Sequence, residues 1–102
     1  MKSFFLLSFF ALLSAPAFAD YFGCELTVNE RKVDGEAPYR GMEVEVELDG
    51  YTCAAQIIAD RRVELQVTSS TGTRALSDGR FYEARGRLEE SGNVVTCACG
   101  LR

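Results

Sequence analysis

The chain reads as an all-β domain: a small antiparallel β-sandwich or barrel of about six strands, stapled by two disulfides. Three observations predict this. Residues 42–58, MEVEVELDGYTCAAQII, alternate strictly around an Asp-Gly pair. Further short stretches of period-2 alternation follow, spaced by turn residues, and no segment carries a helical period or a convincing helix cap. Four cysteines fall on inward positions of those stretches.

In residues 42–58, Met42, Val44, Val46 and Leu48 point one way and Glu43, Glu45 and Glu47 the other, as on a strand with one buried and one wet face. Asp49-Gly50 tolerates positive φ and suits a type I′ hairpin turn. A two-residue loop sets Leu48 opposite Tyr51, which places Tyr51, Cys53, Ala55 and Ile57 on the buried side.

Ahead of this hairpin, residues 21–31 form the expected first strand, with Phe22, Cys24, Leu26 and Val28 inward. Residues 29–41 are polar and punctuated by Asp34-Gly35, Pro38 and Gly41, so they read as a connection that can begin with a short hairpin at Asp34-Gly35. Beyond the hairpin, residues 59–62 form a turn into a half-buried strand over 63–68, with Val63, Leu65 and Val67 inward. Residues 69–79 are rich in Ser, Thr and Gly and read as a long loop or irregular edge hairpin, the best candidate for a contact loop. Alternation resumes over 80–88, with Tyr82, Ala84, Gly86 and Leu88 inward and Phe81 outward, Gly86 marking a bulge or tight curvature. After a turn over 89–93, the last strand, 94–101, puts Val95, Cys97, Cys99 and Leu101 on one side.

Residues 1–19 stand apart from this pattern. Lys2, an apolar run from Phe4 to Leu13 interrupted by Ser8, and Ala17-Phe18-Ala19 have the form of a signal peptide cut before Asp20. The run is well short of the ~20 residues that span a bilayer. No cysteine follows the expected cut, as a lipoprotein would require. Removing 19 of 102 residues leaves 83, one small domain over residues 20–102. The expected location is the periplasm or the extracellular medium. A core of this size yields only ~3–5 kcal/mol, so cross-links matter.

In such a chain four cysteines read as two disulfides among Cys24, Cys53, Cys97 and Cys99. A Cys97–Cys99 bridge is disfavoured, because side chains at i and i+2 of a strand stand parallel and too far apart. If the first and last strands pair antiparallel, Cys24 falls opposite Cys99 and leaves Cys53 for Cys97. The alternative, Cys24–Cys97 with Cys53–Cys99, stays open where those strands belong to different sheets. A redox or four-thiolate metal site at Cys97 and Cys99 is the second functional reading. It suffers from the absence of histidine and from a strand setting that does not lower a thiol pKa. No metal or cofactor is expected.

Without Lys2 the formal charge of −4 becomes −5. An acidic chain excludes a nucleic-acid footprint and disfavours an anionic membrane surface. Lacking histidine, it has no Ser-His or Cys-His nucleophile system. A small carboxylate-dependent hydrolase is the third reading, although 83 residues leave little room for a cleft. Glu43, Glu45 and Glu47 form the sharpest surface feature. They serve either as a solvated face paired with Arg61, Arg62, Arg85 or Arg87, or as a face for a basic protein; a calcium site would draw its ligands from a curved loop instead. The leading expectation is a non-catalytic exported domain that binds another macromolecule, as an inhibitor or envelope accessory factor. Neither the partner nor the oligomeric state is written in the residues.

Overall fold

A computed structural model describes residues 21–38, 43–58 and 61–102. The expected signal peptide, Met42 and the turn residues Ala59 and Asp60 lie outside the described residues. Eight strands form: β1 (Tyr21–Val28), β2 (Arg31–Pro38), β3 (Glu43–Leu48), β4 (Tyr51–Ile58), β5 (Arg62–Ser69), β6 (Arg74–Gly79), β7 (Ala84–Glu90) and β8 (Asn93–Leu101). They make two four-stranded antiparallel sheets, ordered β2-β1-β8-β7 and β3-β4-β5-β6.

The topology is a meander closed on itself. Each strand pairs with the next within its sheet, β2 packs against β3 and β6 against β7 where the chain passes between sheets, and β8 returns to pair with β1. All connections are local, which is the simplest way for half-buried strands to share one core. The turns therefore divide between two ends. Those around Asn29, Asp49-Gly50, 70–73 and Ser91-Gly92 lie at one end, and the 80–83 turn, Arg61, Tyr21 and Arg102 at the other.

The alternation predicts the core faithfully. Phe22, Cys24, Leu26 and Val28 from β1, Val44 and Val46 from β3, Tyr51, Cys53, Ala55 and Ile57 from β4, and Val63, Leu65 and Val67 from β5 are all buried. Leu48 pairs with Tyr51 across Asp49-Gly50, and both turn residues have positive φ, 54° and 85°.

Three segments depart from the expectation. The first strand ends at Val28; the chain turns at Asn29, whose φ is 56°, and runs back as β2. Asp34-Gly35 is thus the middle of an edge strand and not a turn. Gly35 sits there because a β-carbon would come within 2.5 Å of Val46 Cγ1 in the facing sheet. Residues 69–79, expected as a long loop or an irregular edge hairpin, form the hairpin, with a regular second edge strand, β6. These two edges bring the strand count from about six to eight. Finally, the strand expected from residue 80 begins at Ala84, because residues 80–83 form a turn.

The disulfides join Cys24 to Cys99 and Cys53 to Cys97. Cys24 and Cys99 are direct partners in the β1–β8 ladder, and this bridge closes the meander within one sheet. Cys53 on β4 reaches Cys97 on β8, and this bridge ties the two sheets together. The two bridges are consistent with an oxidising compartment.

Candidate functional site: the acidic outer face of the β3-β4-β5-β6 sheet

Ladder register builds the outer face of this sheet in rows. The first row is Glu43, Gln56, Glu64 and Asp78; the second is Glu45, Ala54, Gln66 and Leu76; the third is Glu47, Thr52, Thr68 and Arg74. Strand alternation puts all of them outside, since their neighbours Val44, Val46, Ala55, Val63 and Leu65 fill the core. Around the small side chain of Ala54 the face has a depression of about 520 Å³, lined among others by Glu43, Gln56, Glu64, Leu76 and Asp78. Leu76 is 72% exposed at its margin.

This face holds five carboxylates (Glu43, Glu45, Glu47, Glu64, Asp78) against two guanidiniums, Arg62 and Arg74. Only Asp78 is paired, with Arg62 Nη2 3.0 Å from its Oδ2. Among the described residues no Lys or Arg nitrogen lies within 4 Å of Glu43, Glu45, Glu47 or Glu64. The expected pairing of the glutamate ladder with Arg61, Arg62, Arg85 or Arg87 does not form, because its cross-strand neighbours are Gln56, Ala54 and Thr52.

The opposite sheet provides the contrast. Its outer face neutralises itself: Lys32 reaches Glu25, Arg87 reaches Glu89, and Arg102 binds Asp34 through both terminal nitrogens at 2.5 and 2.6 Å, with Glu36 at 3.5 Å. The Arg102 guanidinium holds the Asp34 carboxyl below its ordinary range. Among the described residues, one face of the domain therefore pairs most of its charges and the other leaves most of its carboxylates without an ion pair.

At the end carrying the Asp49-Gly50 turn, a polar network gathers all four connections. Glu90 accepts from Thr71 Oγ1 (2.7 Å), Ser69 Oγ (3.1 Å) and the Tyr51 hydroxyl (3.4 Å). Asn93 Nδ2 donates to the Tyr51 hydroxyl at 3.0 Å, Asn29 Nδ2 donates to Asn93 Oδ1 at 2.9 Å, and Arg31 binds Asp49 at 2.6 Å. Hydroxyl donors, Thr71 foremost, stabilise the Glu90 carboxylate and lower its pKa. Serving four turns at once, this network is a fastener.

At the opposite end lies the 80–83 turn. No protein family, curated protein or solved structure matches the chain. The functional case therefore rests on the geometry of the chain itself. At this end Phe81 is 73% exposed, with the Arg61 guanidinium 5.9 Å from its ring centroid. Phe81 and Tyr82 occupy the centre of a turn with φ of 59° and 65°, closed by Glu83 N donating to Arg80 O at 3.2 Å. Positive φ at bulky side chains costs on the order of 1–3 kcal/mol per residue.

The four cysteines, all buried, bring their sulfurs within 4.8 Å of one another, with Cys97 and Cys99 Sγ unbonded at 3.7 Å. No cysteine is free among the described residues.

The sequence pointed to Glu43, Glu45 and Glu47, and the alternation of β5 made Glu64 readable as their neighbour. Leu76 and Asp78 were hidden by the loop-like composition of 69–79. Phe81 was misplaced onto a strand, because Arg-Phe-Tyr-Glu contains none of the residues that announce a tight turn.

Proposed function

We propose that this protein is an exported, non-catalytic β-domain that docks a basic protein through the outer face of the β3-β4-β5-β6 sheet, as an inhibitor or accessory factor of that partner. The observation that carries the reading is the charge of this face among the described residues, where Glu43, Glu45, Glu47 and Glu64 make no ion pair around Ala54 and Leu76 while the opposite face pairs most of its own charges. Charge held on a rigid sheet steers a partner of opposite sign and fixes its register, and leaves the affinity dependent on salt.

The other readings have less support. Thiol or metal chemistry at Cys97 and Cys99 would first require reducing two buried bridges. A carboxylate hydrolase needs a general acid with a raised pKa, whereas among the described residues the carboxylates held away from their ordinary range, Asp34 and Glu90, are shifted downward.

The test is calorimetric titration against purified basic proteins at low and high salt. The wild-type domain is expected to bind, with affinity falling as salt rises. The E43Q/E45Q/E47Q variant should bind about tenfold more weakly or worse with its melting temperature almost unchanged. Undiminished binding by that variant would overturn the assignment of the face.

A further inference from the structure

We infer that Phe81 is the anchor of this interface, a projecting ring that inserts into an apolar-lined cleft of the basic partner. The inference rests on the docking role proposed for the acidic face. The face is modest in size: four strands of six to eight residues present roughly 19 by 23 Å in plan. A stable complex buries ~800 Å² of accessible surface per partner, which favours contact that extends past the sheet.

Phe81 lies where it can. It follows the acidic row by three residues, through Asp78, Gly79 and Arg80, and its ring is backed by Arg61, next to the Arg62 that pairs with Asp78. Leu76 and Phe81 are the two most exposed large apolar side chains among the described residues, 72% and 73%.

The turn that presents Phe81 is unlike its counterparts. Two hairpins of this chain, unlike the 80–83 passage between sheets, place Asp49-Gly50 and Ser91-Gly92 at positions with φ of 54° and 85°, and 53° and 80°. Those pairs suit the conformation. At 81–82 the same φ pattern is imposed on Phe and Tyr, although the fold needs only a turn there. The surrounding structure enforces it: Tyr82 N donates to Arg61 O at 2.9 Å, and a β-carbon at Gly79 would sit 1.9 Å from Glu83 O, so the chain can enter this turn only through glycine.

The result is a preorganised tip. A tip whose backbone is already held loses less freedom on binding, and aromatic and arginine side chains are enriched among the anchors of protein interfaces. A single projecting ring buries its surface only in a concavity, which selects a cleft over a flat surface. The acidic face beside it selects a basic protein over an anionic bilayer.

The test uses two basic probes, a lysozyme with an open substrate cleft and cytochrome c without one, titrated with the wild-type domain, F81A and F81N. F81N keeps Tyr82, which packs against the core, and installs a residue that tolerates positive φ, so it should melt at or above the wild-type temperature, which establishes that the fold is intact. Both variants are expected to bind the cleft-bearing probe at least about tenfold more weakly and cytochrome c unchanged. Equal affinity of wild type and both variants for the lysozyme would overturn the inference, as would Phe81-dependent binding to phosphatidylglycerol vesicles. Binding lost in E43Q/E45Q/E47Q but untouched at Phe81 would remove the anchor and leave the acidic face standing. If the wild type binds neither probe, both readings fall.

Discussion

The side chain of Arg102 crosses β1 directly over Gly23, so close that a β-carbon on Gly23 would lie 2.7 Å from Arg102 Cζ. Only this bare position lets the last described residue reach Asp34 on β2. Gly23→Ala should therefore displace the guanidinium and lose the Asp34 pair, at a cost below ~1 kcal/mol because the pair is partly exposed. In denaturant titrations G23A and R102A should be non-additive, since both remove the same interaction. Fully additive losses would show that Gly23 serves some other contact. The folded-state pKa of Asp34 is depressed, so the pair's contribution is complete above the ordinary value of 3.8 and is lost as pH falls through the lower folded value.

Glu90 gives a second dependence of the same sign. Its folded pKa lies below the ordinary glutamate value of 4.5, because it accepts from Thr71, Ser69 and Tyr51. Relative to E90Q, wild type should keep a constant advantage from neutral pH down to 4.5 and lose it progressively below. Urea titrations at stepped pH read this directly, and an advantage that grew on acidification would contradict the network.

Gly86 faces the other sheet, where a β-carbon would come 2.5 Å from Leu65 Cδ2. Leu65 is 2% exposed and has little room to yield. Gly86→Ala should destabilise by about 1–3 kcal/mol, the usual cost of overpacking. A G86A/L65V pair should recover part of the loss in thermal melts; no recovery would place the strain elsewhere.

The bridges Cys24–Cys99 and Cys53–Cys97 span 75 and 44 residues, and loop entropy assigns each ~4 kcal/mol, less than additively for nested loops. Reduction should unfold or nearly unfold a domain this small. Non-reducing peptide maps in acid should return these two pairs; a Cys24–Cys97 peptide would refute the β1–β8 register.

Much of this was legible because period-2 burial depends on few residues. Phe22 to Val28, Val44 to Ile57 and Val63 to Val67 announce their inward faces, and the Asp49-Gly50 turn fixes a register that carries the cysteine geometry with it. The edges were not legible. Strands β2 and β6 each cover the core with only alternate small or partly buried residues, such as Val33, Gly35, Ala37 and Ala75, and their polar composition imitates loops. The 81–82 turn was missed for the opposite reason, since its residues prefer strands and the fold overrides them. Of the candidate interface, the β3 charges could be read from alternation. Their lack of partners could not, because it depends on which strands became neighbours.

The closed meander also decides where the molecule can be handled. Tyr21 and Arg102 exchange backbone hydrogen bonds at 3.1 and 2.7 Å, and Gly100 lies beside the 80–83 turn. Anything fused behind Arg102 is tethered on the same side as Phe81 and would crowd it. A label, surface tether or dye belongs on exposed Ser70 instead, in the turn at the far end of the domain, and not at Gly72 or Gly92, where there is space for a β-carbon but φ of 94° and 80° would strain any other residue.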